Sequence, residues 1–171
     1  MHEELRVDAN RLRGYLEQMA RFGATAGGGV TRIALSDEDR DGRLQLREWF
    51  ESVGCEVVID AIGNMFAIYP GLDRSLAPVL SGSHNDTQPK GGRFDGTLGV
   101  LAGLEVVATL HDHGIRLPRD LIVANWTNEE GTRFTPGCTG SGVWSEKLAL
   151  EDMYRLQDAD GRTVRRELER I

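Results

Sequence analysis

Two apolar runs, "APVL" from Ala77 and "DLIVANW" ending at Trp126, bracket an apolar helical pattern from Leu98 to Leu110. A strand, a helix and a strand in that order read as a βαβ unit, because a parallel strand needs a crossover of a dozen or more residues. Strands that are apolar along their length belong in a covered sheet. The pattern therefore predicts an α/β fold with a mainly parallel sheet flanked by helices. Both strands also exit into polar sequence. "SGSHNDTQPKGGRFDGT" brings His84, Asp86 and Asp95 after the first, and "TNEEGTRF" brings Glu129 and Glu130 after the second. Ligands of open α/β sheets bind outside the carboxyl ends of the strands, so these five side chains are expected to converge on one edge.

The rest of the chain supplies cover for that unit. Leu12, Leu16, Met19 and Ala20 recur at helical spacing, which predicts a helix over 8–22 with Asp8 as N-cap. "SDEDRDGRLQLREWFESVG" starts on Ser36 and three acidic residues, offers Leu44, Leu46, Trp49, Phe50 and Val53 as apolar positions, and stops at Gly54. Glu56–Asp60 and Asn64–Tyr69 read as a hairpin or two adjacent strands, and the tail from Ser141 as short helices. No repeat or linker divides residues 1–171, and a 40% hydrophobic content suits one folding unit.

Composition narrows the function classes. A net charge of −7 argues against a nucleic-acid surface, which needs clustered Lys and Arg. The two cysteines, Cys55 and Cys138, have no CxxC spacing, so neither a disulfide framework nor a thiolate zinc site is expected. The charged N-terminus lacks an apolar leader core, and no run nears the ~20 apolar residues of a membrane span. The expectation is a cytoplasmic protein acting on a small molecule, with no nucleic acid and no membrane.

The polar residues suit metal-assisted hydrolysis. His84 and Asp86 stand at i and i+2, so the carboxylate can orient the imidazole and fix its tautomer. Gly91 and Gly92 let the backbone return Asp95 to the same edge, where it could bridge two ions. Of two adjacent glutamates, one could coordinate while the other takes a proton from water. A lone loop histidine or a lone "EE" is ordinary surface polarity; three clusters at two strand ends carry the weight. His111 and His113 sit at a helix C-terminus, where a cation meets the dipole favourably, and read as structural.

"GSHNDTQPKGGRFDGTLGVLAGLEV", "WTNEEGTRF" and "CTGSGVWS" together resemble the dinuclear-metal amidohydrolases of the N-carbamoyl-L-amino-acid hydrolase and β-ureidopropionase group, relatives of aminoacylase and the carboxypeptidase-type metallopeptidases. The resemblance runs from "GGVTRIALSDEDRDGR" to the last residue. It implies the N-terminal half of a zinc-exopeptidase-like catalytic domain. By it His84 would bind one metal, Asp95 both and Glu130 the other, with Asp86 supporting His84 and Glu129 as general base. It also implies two divalent ions, zinc or manganese with cobalt or nickel as alternatives, an N-carbamoyl amino acid as substrate, and a cis peptide at Asp95–Gly96. Allantoate is the alternative substrate, and a non-catalytic folded fragment the alternative of another class.

Two departures qualify the resemblance. Asn85 stands where the family usually has an aliphatic residue. The larger one is length: family members run to about twice this size or more and supply two further histidine ligands and a lid or dimerisation domain. All four histidines here, His2, His84, His111 and His113, precede Glu130. A helix starting near the site would carry the last two about 25 Å away at ~1.5 Å per residue. Each ion would keep two protein ligands, so weak metal binding is expected, with a second copy or a complementary C-terminal chain as partner.

Overall fold

The computed structural model describes residues 5–171; His2 lies outside them. Six helices and four strands follow in the order α1 (Ala9–Met19), α2 (Asp37–Ser52), β1 (Glu56–Ile59), β2 (Met65–Tyr69), β3 (Val79–His84), α3 (Thr97–Asp112), β4 (Leu121–Trp126), α4 (Thr139–Trp144), α5 (Leu150–Tyr154) and α6 (Val164–Arg170). The Asp8 carboxylate caps α1 by accepting from the backbone N–H groups of Asn10 and Arg11. Ser36 caps α2 by accepting from Asp39, and Asp37, Glu38 and Asp39 fill the first turn, where the helix dipole favours negative charge. Gly54, at φ 81°, ends that helix. Leu44 turns to solvent, 52% exposed, while Leu46 and Phe50 enter the core.

The α/β class stands, but the sheet is mixed. Its order is β1-β2-β4-β3, and only β3 and β4 run parallel. β1 and β2 form the hairpin, and β2 then pairs antiparallel with β4. The expectation of a mainly parallel sheet thus holds for one pair. The physical reason is connection length: the few residues between β1 and β2 permit only a hairpin, while the α3 crossover is long enough for a parallel return. Asp60 organises the hairpin turn by accepting from the backbone N–H groups of Ile62 and Asn64.

Met65, Ala67 and Tyr69 of β2 and Leu121 and Val123 of β4 share one face with Met19, Leu46, Phe50, Val100, Leu101 and Leu104, so α1, α2 and α3 all lie against it. Period-2 alternation sends Phe66, Ile68, Ile122, Ala124 and Trp126 to the other face. There Trp126 meets Phe66 edge-on at 5.7 Å and Trp144 of α4 at 5.4 Å between ring centres. A smaller core of Leu35, Ile62, Phe134, Met153 and Val164 lies where the loop after β4 meets α5 and α6.

β3 is not the buried strand its composition suggests. It is an edge of the sheet among the described residues, with Val79 51% and Leu80 38% exposed, because nothing there pairs its outer side. Its inner side is tightly packed. A Cβ on Gly82 would come within 2.2 Å of the Ala124 carbonyl oxygen, and one on Gly103 within 2.7 Å of Val123, so small residues let α3, β3 and β4 approach closely. No helix among the described residues is long and apolar enough to cross a membrane.

One buried carboxylate ties α1 to α3. Glu105 accepts from the Asp8 backbone N–H at 2.7 Å, from Arg11 Nε at 2.7 Å and Nη2 at 2.9 Å, and from the Thr109 hydroxyl at 3.0 Å. Burial pushes its carboxyl up, yet the Arg11 guanidinium and the other donors outweigh this and hold it below the ordinary value of 4.5. Because the folded value is depressed, the contribution is complete above that pH and lost as pH falls through the folded value. Glu105→Ala should lower unfolding free energy by about 2–3 kcal/mol in a urea titration at pH 7, somewhat below a fully buried pair because Arg11 is partly exposed. The gap to wild type should narrow below pH 4.

Candidate metal centre

Parallel pairing aligns His84 with Trp126, so β3 and β4 end at the same level and their loops leave side by side. His84 is buried at the end of β3. Its Nδ1 lies 2.8 Å from the Asp86 backbone carbonyl, the geometry of a donated N–H, which leaves Nε2 as the ring atom available to a cation. Ligand atoms of His84, Asp95 and Glu130 lie within 4.8 Å of one another. Nitrogen and carboxylate ligands sit about 2.0–2.2 Å from a transition-metal ion, so a small closure of these three would enclose one. The donor set, one imidazole and two carboxylates, fits a divalent cation.

Asp86 has two attachments rather than one. Its Oδ1 lies 3.7 Å from His84 Nδ1, close enough for attraction but beyond a hydrogen bond. The two carboxylate oxygens instead accept from the backbone N–H groups of Glu129 at 3.3 Å and Glu130 at 3.2 Å. Asp86 therefore fastens the loop after β4 to the loop after β3. It orients His84 mainly through its main-chain carbonyl.

Glu129 stands beside the three, its Oε2 3.3 Å from His84 Nε2. Burial alone would lower the His84 pKa, but the neighbouring Asp86 and Glu129 carboxylates outweigh it and raise it to about 9. A cation binding at Nε2 must therefore displace a proton at neutral pH. Asp95 reaches the cluster through a tight reversal. Gly96 has φ 63° and ψ −52°, and the Thr97 N–H bonds the Asp95 carbonyl at 2.6 Å across it, a strained γ-turn. The cis peptide expected at Asp95–Gly96 is absent; the cis bond among the described residues is Thr135–Pro136. The backbone reverses at Asp95 through the positive φ of Gly96 instead. His111 and His113 lie at the C-terminal end of α3, where His113 Nδ1 contacts the Thr109 carbonyl.

Several neighbours carry no sequence signal of their own. Gln88 Nε2 donates to Glu130 at 2.9 Å, and the Cys138 thiol donates to Glu129 at 3.6 Å. Arg43 reaches from α2 to the Gly63 carbonyl and the Thr127 hydroxyl, two residues before Glu129. Asn64 accepts from the Thr127 N–H and donates to the Gly140 carbonyl, anchoring the same loop to the hairpin. Spacing could not reveal these contacts, because each joins segments distant in sequence.

Residues 80–161 match peptidase family M20/M25/M40. The chain is a homologue of N-carbamoyl-L-amino-acid and allantoate amidohydrolases. It is 46% identical over 169 residues to the N-carbamoyl-L-amino-acid amidohydrolase of Rhizobium meliloti, covering 99% of this chain and 41% of that protein. It is 32% identical over 152 residues to the allantoate amidohydrolase of Bacillus subtilis, covering 89% of this chain and 37% of that one. The crystal structure of a hydantoinase/carbamoylase family amidase from Burkholderia ambifaria superposes with a TM-score of 0.96 at 51% identity, over 98% of this chain and 42% of that one. The chain thus spans about two-fifths of the length of these relatives.

Any side chain at position 96 would collide with the site. A Cβ there would lie 2.4 Å from the His84 ring, in a backbone conformation that L-residues rarely adopt. Gly96→Ala should displace the imidazole and weaken cobalt(II) binding by at least about tenfold. The far-UV circular dichroism should stay near wild type. Unchanged affinity, measured by titration of the cobalt absorption bands, would contradict this placement of His84.

Proposed function

We propose that this chain forms the metal-binding part of a linear-amide hydrolase acting on N-carbamoyl amino acids, yielding the amino acid, ammonia and carbon dioxide. The observation that carries the reading is the approach of His84, Asp95 and Glu130 to within 4.8 Å at the shared exit of β3 and β4. In this reading His84 and Glu130 hold one divalent ion each, and Asp95 lies between them. Bound there, two cations would lower the pKa of a water molecule and polarise the amide carbonyl. Glu129, partly exposed and beside His84, is positioned to take the proton from that water and return it to the leaving nitrogen. Asp86 keeps both carboxylate-bearing loops in place for that transfer.

Each ion would have two protein ligands from this chain, with Asp95 counted twice, whereas a catalytic site of this type commonly has three. We infer that the working enzyme, in the cytoplasm, completes the set from a C-terminal chain segment or a second copy. Allantoate is the second substrate reading, supported by the Bacillus subtilis relative. Both substrates carry a carbamoyl-nitrogen bond, and the same base and cations would serve either.

Residues 1–171 alone should bind zinc or manganese weakly and turn over neither N-carbamoyl-β-alanine, N-carbamoyl-L-amino acids nor allantoate. Metal retained after dialysis, measured by plasma mass spectrometry, together with product formation, tests this. Tight stoichiometric metal with turnover would refute the incomplete ligand set. In an enzyme complemented to activity, Glu129→Gln should reduce kcat by roughly a thousandfold while metal content stays near wild type. Asp95→Ala should lose both ions. A Glu129→Gln enzyme of near-normal rate would remove Glu129 from the role of base.

A further inference from the structure

The segment "GGVTRIALSDEDRDGR" precedes the sheet and contributes no ligand, yet it holds the bulkiest fully buried side chain among the described residues. Arg32 is 1% exposed. Its Nε donates to the Asn85 carbonyl at 2.7 Å, Nη1 to the Met19 and Phe22 carbonyls at 2.9 and 3.0 Å, and Nη2 to the Thr97 hydroxyl at 3.0 Å. Its main chain joins the same loop in both directions. The Arg32 N–H donates to the Thr87 hydroxyl at 2.9 Å, and the Thr87 N–H donates to the Arg32 carbonyl at 2.8 Å. These contacts bracket Asp86 and adjoin His84. Thr97 closes the junction by donating to Asn85 Oδ1 at 3.3 Å, and it stands two residues after Asp95 across the Gly96 γ-turn.

These hydrogen-bond acceptors of the buried cation are all neutral. Burying a charge without a bonded counter-ion is costly, and a packing role alone would be met by an apolar side chain of similar volume. What a guanidinium adds is a rigid planar fork that can hold several acceptors at fixed angles. It also places a positive charge behind a site where Asp86, Asp95, Glu129 and Glu130 crowd around one histidine; Asp86 is among the acids whose field reaches it.

We propose that Arg32 is the positioning residue of the metal centre: its guanidinium locks the His84–Thr87 loop against the Asp95–Gly96–Thr97 turn, so that the ligand atoms are spaced before a cation arrives. This inference rests on the reading of the cluster as a metal centre, and it makes a claim about the cation-free chain that stands apart from it. Lysine at position 32 keeps the charge but cannot span the four acceptors. Thr97→Val removes one arm of the junction and leaves Arg32 intact.

The test uses the full 171-residue chain with two readouts, amide hydrogen exchange by NMR without metal and cobalt(II) titration. In Arg32→Lys, the amides of Thr87, Glu129 and Glu130 should exchange at least about tenfold faster, while those of Ala67 and Val123 in the sheet hold their wild-type rates. Thr97→Val should give the same local pattern with a smaller amplitude. Cobalt affinity should fall about tenfold or more in Arg32→Lys, the usual cost of losing an outer-shell partner. A uniform acceleration across sheet and loops would mean that Arg32 serves only global stability and would overturn the proposal. So would exchange rates at Thr87, Glu129 and Glu130 within twofold of wild type in both variants. If the wild-type chain takes up no cobalt while the local exchange pattern appears, the metal-centre reading fails and the brace is upheld.

Discussion

The parallel pairing of β3 with β4 is the constraint on which the site depends. Antiparallel strands joined by a hairpin would send their exits to opposite ends of the sheet. Because α3 carries the chain back, both strands finish at one level, and His84 lies opposite Trp126. The close contacts of Gly82 with Ala124 and of Gly103 with Val123 show what keeps that pairing tight. Side chains at these glycines would push α3 or β3 outward and carry His84 away from Glu130. The spacing of the cluster is therefore set partly by the smallest residues of the unit.

Much of this could be read from the sequence because it rests on local patterns. The caps at Asp8 and Ser36, the stop at Gly54, the β1–β2 hairpin and the βαβ unit each follow from residues within a few positions of one another. The approach of His84, Asp95 and Glu130 was expected from their positions after two apolar strands, with a glycine turn returning Asp95 to the same edge. What the pattern missed depends on pairing between distant segments. The apolar composition of β3 suggested a covered strand, but composition cannot say whether a neighbour is there to cover it. The antiparallel β2–β4 contact likewise joins segments separated by β3 and α3, and nothing in either strand encodes its direction.

Asp86 and Asn85 show the same limit at the level of side chains. The i, i+2 spacing tied Asp86 to His84, and the two are indeed adjacent. The spacing could not show that the carboxylate spends its hydrogen bonds on Glu129 and Glu130. Asn85, an exchange of an aliphatic position for an amide, looked like a change at a strand end. It proves to be a buried acceptor for Thr97 through its side chain and for Arg32 through its carbonyl. An amide is tolerated at that depth because the Thr97 hydroxyl donates to its oxygen and its nitrogen donates to the Met19 sulfur.

His84 ends β3, Asp95 lies in the loop that leads into α3, and Glu130 lies in the loop that leaves β4. Bringing them together therefore asks the chain to close a single βαβ unit and the first turn beyond it, an entropic demand that grows slowly with loop length. His84 and Glu130 stand far apart in the chain, and parallel pairing rewards the chain only after that span has closed, so contacts of this kind form late rather than early. The acidic edge at the exit of these strands is thus completed only when β4 reaches β3.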